Sequence, residues 1–147
     1  MLTYLLTGTS GWVLVVLIGA TTTLPYLVRR PRLLGVHVPG PRRGYLERLW
    51  PHYRIGYAIG VLAVLHAWIP MSAGLGGRVD QTGLYVATVA LGAIAIQVSI
   101  GFRLREPRRR DRLRLRRMHV SLMAIILILV AGHVWLDGSL MSLLRLR

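Results

Sequence analysis

The sequence predicts an all-α fold, an integral membrane four-helix bundle, on three observations. The chain of 147 residues is 54% hydrophobic with a mean hydropathy of +0.53, which is typical of a membrane protein. Its apolar residues form four blocks, each close to the roughly 20 residues that a spanning helix needs. Its basic residues lie mostly between these blocks. We therefore predict one domain, residues 1–147, with spans at about residues 3–28, 52–71, 83–102 and 118–136.

The first two spans differ in what they carry. Span one holds no histidine and no charge, so we interpret it as a packing wall or as a docking face for another subunit. Its arginines follow the apolar run, which is the reverse of a secretory signal and predicts an uncleaved span. Span two follows Pro51, a residue that suits the first turn of a helix, and His52 is then in that turn.

The third and fourth spans carry polar and basic groups. Span three contains Gln97 and Ser99, which we expect to hydrogen-bond between helices or to contact a quinone head group. Span four is preceded by residues 108–117, which contain no helix breaker, so its helix can extend beyond the membrane. Glycine and proline inside the spans do not argue against helices in lipid.

The arginines predict the topology. All 19 basic residues are arginine, and 16 of them lie in or beside the first and third connections. The positive-inside rule then places both connections in the cytoplasm and both termini outside, in a multi-pass protein of the cell (plasma) membrane. The net charge of +14 is explained by membrane lipid as the partner, and we expect no nucleic acid.

The chain contains no cysteine. This excludes disulfides, cysteine-ligated iron–sulfur clusters and covalent c-type haem, which requires a C-x-x-C-H motif. Any haem must therefore be held without thioether bonds.

Two histidine pairs with the same gap indicate the chemistry. His52 and His66 are 14 residues apart, and so are His119 and His133. Fourteen steps of about 100° end about 40° short of four full turns, so both histidines of a pair share one helix face. At about 1.5 Å per residue they lie about 21 Å apart, one near each surface of a roughly 30 Å hydrocarbon layer.

A weak internal repeat relates spans two and four, because each ends with His-x-Trp followed by Ile or Leu. One helix separates these spans, so both run from inside to outside, and His52 matches His119 in depth while His66 matches His133. Facing imidazoles at two depths are the ligand set for two non-covalent b haems, an inner and an outer one. Two alternatives are histidines that only pack or hydrogen-bond, and a path for a transition-metal ion.

These residues resemble the haem-binding core of the ferric reductase-like transmembrane domains. That group includes ferric reductases, NADPH oxidases and the haem subunit of a bacterial methionine sulfoxide reductase system. The resemblance covers roughly residues 50–136 and lies in spacing and topology. It implies bis-histidine ligation of two b haems from two helices that one other helix separates. The diheme cytochrome b of quinol–cytochrome c complexes has similar pairs, but its ligand helices run in the opposite direction.

Three arginines lie near the inner histidines. Arg54 and Arg117 are each two residues from an inner ligand, and Arg48 is one turn before His52. Haem propionates are anionic and pair with arginine, so these three are candidates for binding inner propionates. The alternative is ordinary positive-inside charge.

We therefore expect a membrane b-type cytochrome that carries electrons across the membrane as a subunit of a larger oxidoreductase complex. No substrate site and no Gly-rich nucleotide motif are visible, so redox partner subunits must supply or accept the electrons. One alternative is the haem-bearing anchor of a quinone-linked dehydrogenase, reductase or photosynthetic complex, with a quinone as a further ligand. A non-redox alternative is a structural membrane subunit.

Overall fold

Four α-helices form the described part of the chain. The computed structural model describes residues 2–29, 49–72, 81–106 and 110–136. The helices are α1 Leu2–Arg29, α2 Trp50–Ser72, α3 Gln81–Leu104 and α4 Arg112–Leu136. All four are long and apolar enough to cross a membrane, and those residues contain no strand. The predicted all-α fold with four membrane helices is confirmed.

The helix starts follow local chemistry. The Tyr53 N–H donates to the Leu49 carbonyl at 3.2 Å, so Pro51 lies in the first turn of α2. Its missing N–H leaves no hydrogen bond unmade there, because the first helical N–H groups have no intrahelical acceptor. α4 begins at Arg112, before the predicted start of the span, since the arginine- and leucine-rich stretch in between contains no helix breaker.

The helices pack in a ring that follows chain order. α1 packs closely against α2, and α3 packs closely against α4. α2 also contacts α3, whereas α1 touches α4 only lightly. Within the described residues, neither α1 and α3 nor α2 and α4 pack closely together. The two helices that carry the spaced histidines, α2 and α4, therefore face each other diagonally across the bundle.

The bundle has a small apolar core and an apolar outer surface. Large apolar side chains face outward: Val16 is 67% exposed, and Tyr85 and Ile128 are each 72% exposed. Such a surface suits lipid rather than water, as expected for a multi-pass membrane protein. The buried core side chains come from all four helices and are Leu14, Ile18, Ile59, Ala63, Ala93, Ile94 and Ile126.

Small residues allow α3 to pack closely. Gly83, Ala90 and Gln97 recur every seven residues, or about two turns, and all three are buried. Helices in a membrane associate through close packing, which small side chains permit. At the end of this row, Nε2 of Gln97 donates to the backbone carbonyl of His119 at 3.0 Å. The α3–α4 contact therefore fixes a buried amide beside one of the spaced histidines.

Candidate functional site

Two histidine pairs lie between α2 and α4. The rings of His52 and His119 have centroids 6.2 Å apart and planes inclined by 75°. For His66 and His133 the values are 6.3 Å and 79°. We call the first pair site A and the second pair site B. The structure thus brings together the same two pairs that the spacing and helix directions predict, and all four side chains are partly buried.

Both separations suit two imidazoles on opposite sides of one metal ion. A metal–imidazole bond is about 2 Å long and a ring nitrogen lies about 1 Å from its centroid, so opposed ligands have centroids about 6 Å apart. Edge-to-face packing without a metal covers about 4.5–7 Å, so the distance is compatible with either arrangement. The hydrogen-bond partners of each ring indicate which ring nitrogen carries the proton and which has the lone pair that could bind a metal.

The His52 ring has a defined tautomer. Its Nδ1 lies 3.1 Å from the backbone carbonyl oxygen of Thr21 on α1. A carbonyl oxygen can only accept, so Nδ1 carries the proton and donates it to Thr21. In the neutral ring, Nε2 then carries the lone pair, which is the form that ligates metals.

The His66 ring has the same tautomer for a different reason. Its Nδ1 lies 2.9 Å from Oγ of Ser10, and that hydroxyl donates to the Thr7 carbonyl at 3.0 Å. The His66 ring also interacts with the Thr7 carbonyl, which can only accept, so we assign the proton to Nδ1 and Oγ of Ser10 accepts from it. Nε2 of His66 is therefore also in the lone-pair form, so α2 presents one metal-competent imidazole at each site.

Helix α1 orients both of these histidines. Ser10 and Thr21 are 11 residues apart, about 20° past three full turns, so they share one face of α1. Leu14 and Ile18 lie between them on that face and are buried in the core. From the sequence, we predict that this span is a packing wall or a docking face for another subunit. The structure adds two acceptors for Nδ1–H groups, the usual outer contact of a metal-bound histidine.

A cleft opens beside site A. Its cavity volume is about 70 Å³, which is below the roughly 300–1,000 Å³ usual for ligand sites. Gly56 lies on its wall one turn after His52, and a Cβ there would meet no atom within 4 Å. At Gly101, also on the wall, a Cβ would lie 3.5 Å from Cε1 of His119. The absent side chains at these two positions widen the cleft beside the imidazoles.

A glycine also approaches the histidine of site B. A Cβ at Gly11 on α1 would lie 3.1 Å from Cε1 of His66, closer than ordinary van der Waals contact. Ser10, the acceptor for His66, is its chain neighbour. One turn of α1 therefore both contacts the His66 ring and binds its Nδ1–H.

The arginines singled out in the sequence take other positions. The Arg54 guanidinium lies over the Trp50 ring, 4.5 Å from its centroid, and its side chain is exposed. Arg117 is also exposed, and neither residue lines the cleft. Arg48 lies outside the described residues.

A different arginine reaches the cleft wall. Nη1 of Arg105 donates to the Tyr57 hydroxyl at 3.3 Å, and its Cζ lies 5.8 Å from the centroid of the Tyr53 ring. Both tyrosines line the cleft. The sequence could have suggested the tyrosines, which are four residues apart and share a face of α2. It could not single out Arg105 among the nine arginines of residues 103–117, because the contact arises from α2–α3 packing.

Each site offers two imidazole ligands. The described residues contain no group of three or more histidine, cysteine, aspartate or glutamate side chains that could hold a metal ion. A structural zinc ion takes four protein ligands. Haem iron needs only axial ligands from the protein, because the macrocycle supplies the other four.

In the bis-histidine haem interpretation of site B, replacing Ser10 by alanine is expected to weaken haem binding there by about tenfold or more, the usual effect of losing the outer partner of a metal-bound histidine. Haem titration of the purified protein measures this loss. Thr9→Ala is a matched control, because the Thr9 hydroxyl is exposed and donates to the backbone carbonyl of Leu5 at 2.7 Å. Equal affinity of site B in the two variants would show that Ser10 does not support the His66 ligand.

Comparisons with protein-family models, with curated proteins and with solved structures gave no match. The resemblance to the ferric reductase-like domains therefore stays a prediction. The function has to be inferred from the geometry of sites A and B.

Proposed function

We propose that this protein is a small membrane b-type cytochrome that carries electrons between two bis-histidine haems. The observation that carries the proposal is the hydrogen bonding and tautomer of the two α2 histidines, His52 and His66. Each has its Nδ1–H engaged by α1, each has Nε2 in the lone-pair form, and each faces a second imidazole with ring centroids about 6 Å away.

In this scheme the ligands follow the two pairs. His52 and His119 hold one haem at site A, and His66 and His133 hold the other at site B. Haem supplies one-electron redox chemistry, and two axial imidazoles fill its iron coordination, which favours electron transfer over oxygen binding. Arg105 is a candidate partner for a propionate at the mouth of the cleft, where Tyr57 holds its guanidinium.

The chain's own residues keep the sites ready for a cofactor. The Thr21 carbonyl and the Ser10 hydroxyl hold the α2 rings in one tautomer and one orientation. Apolar side chains of the core, such as Ile18 and Ile126, border the site A cleft and limit the access of water. Such a low-polarity shell is one of the means by which a protein sets a haem potential.

The proposal includes a location and partners. The protein lies in the cell membrane as one subunit of a redox complex, with its arginine-rich connections on the cytoplasmic side. Partner subunits donate and accept the electrons, as the resemblance to the ferric reductase-like domains implies. The Gln97 amide nitrogen binds the backbone of α4, and a quinone contact at this residue stays a prediction.

The test is the haem content and spectrum of the purified chain. We expect about two non-covalent haems per chain, removable by acidic organic solvent, and a low-spin b-type spectrum on reduction with dithionite. The sample is expressed with excess haem precursor so that loading is not limited by supply. A chain that folds as a helical membrane protein and binds no haem under these conditions would contradict the proposal.

A further inference from the structure

Two buried polar atoms at site A have no hydrogen-bond partner among the described residues. They are Oε1 of Gln97 and Nδ1 of His119. Gln97 is only 9% exposed, and it lines the same cleft as His119. Buried polar groups are nearly always paired, since an unsatisfied group keeps the full penalty of losing water. Two unpaired atoms of complementary type on contacting residues therefore need an explanation.

The orientation of the Gln97 amide follows from its other half. Nε2 donates to the His119 carbonyl at 3.0 Å and approaches Sδ of Met123 at 3.6 Å. Both of these atoms only accept, so the nitrogen must lie on this side and Oε1 must be the remaining acceptor. When Nε2 of His119 binds a metal, its Nδ1 carries a proton and is a donor. Oε1 of Gln97 thus lacks a donor. Nδ1 of His119 makes no hydrogen bond of good geometry, although the His119 ring interacts with the backbone carbonyl of Gln97.

We propose that Gln97 is a positioning residue for the site A ligand, with the Nδ1–H of His119 donating to Oε1 of Gln97 when haem fills the cleft. This inference depends on the proposed function, because a donor at Nδ1 is required only if Nε2 is a ligand. The proposed bond joins Gln97 on α3 to the His119 ring. It adds to the bond that Nε2 of Gln97 already makes with the His119 backbone carbonyl. It gives His119 the kind of outer partner that Thr21 and Ser10 give to the α2 histidines.

The bond has an electronic consequence. An acceptor on Nδ1–H raises the basicity of the imidazole, which stabilises ferric relative to ferrous iron and lowers the reduction potential. Removal of Oε1 should therefore raise the potential of the site A haem and leave that of site B unchanged. A side chain that only ties α3 to α4 would not act on one haem potential in this way.

The experiment is an EPR-monitored redox titration of the full chain with Gln97→Met and Gln97→Glu. The site A signal is identified as the one that His119→Ala removes. Methionine keeps the length of the side chain but has no comparable acceptor, so the site A reduction equilibrium should shift about tenfold, or about +59 mV for one electron. Glutamate keeps an acceptor oxygen, so the site A potential should equal or fall below that of the wild type. Ser99→Ala, a change of an exposed hydroxyl on the same helix, is the control.

Opposite behaviour would overturn the inference. An unchanged site A potential in Gln97→Met would assign the acceptor elsewhere, for instance to the backbone carbonyl of Gln97, which also interacts with the His119 ring. A rise in Gln97→Glu equal to that in Gln97→Met would show that the lost Nε2 donor is what matters. If the methionine variant does not load haem at site A, the glutamate variant alone is the test, and a site A potential above that of the wild type would contradict the inference. A wild-type chain without haem would instead overturn the proposed function, and this inference with it.

Discussion

Replacing His52 or His119 by alanine is expected to remove the site A haem and to leave the site B haem in place. The two proposed ligands lie on α2 and α4, one on each helix, so either substitution leaves at most one axial imidazole at site A. The haem content should fall from about two to about one per chain, and the reduced-minus-oxidised spectrum should lose about half its amplitude. Any haem that stays at site A would have one axial imidazole and become high spin.

The reciprocal variants make this test specific. His66→Ala and His133→Ala should remove the site B haem and spare site A, so the two spectral halves should add to the wild-type spectrum. His37→Ala is the matched control, because His37 has no partner at the 14-residue spacing. Circular dichroism shows whether each variant keeps its helices. Two haems of wild-type spin state in any of the four ligand variants would refute the assignment of that histidine.

The second large effect is expected from filling the site A cleft. Gly56→Leu places a branched side chain in the cleft beside His52. The space is open there, because a Cβ added at Gly56 would have no neighbour within 4 Å. Overpacking of this kind costs about 1–3 kcal/mol, so site A should lose about tenfold or more of its haem affinity. Competitive haem titration measures the change, and site B should be unaffected.

A second glycine provides the control for this substitution. Gly92 on α3 is exposed, and a Cβ there also has no neighbour within 4 Å, but it does not line the cleft. Gly92→Leu should therefore leave both haems bound. Equal haem loss in Gly56→Leu and Gly92→Leu would show that the cleft is not the binding space.

The sequence predicts the histidine pairs because their positions depend only on helix geometry. A gap of 14 residues places His52 and His66 on one face whatever surrounds the helix, and the same holds for His119 and His133. The order of the spans then determines which histidines share a depth. The fold class is predictable for a similar reason, since membrane helices need long apolar runs.

The partners of the histidines could not be predicted from the sequence. Ser10 and Thr21 act through a hydroxyl and a backbone carbonyl, and both depend on α1 being the neighbour of α2 and on its rotation. Hydroxyl side chains in α1 mostly bind the backbone of their own helix, as those of Thr22 and Thr23 do. Composition therefore gave no sign that the Ser10 hydroxyl also contacts His66. Arg105 likewise becomes important only because the end of α3 meets the Tyr57 side of α2.

The uneven packing of the ring has a consequence for how the protein assembles. Close contact occurs within the α1–α2 unit and within the α3–α4 unit, and the seam between α1 and α4 is slight. Each proposed haem takes one ligand from each unit, so cofactor binding and closure of the two units are a single linked equilibrium. A ligand present at 1,000 times its Kd stabilises the bound form by about 4.1 kcal/mol. The haems would then be cross-links that complete the tertiary structure as well as centres that carry electrons.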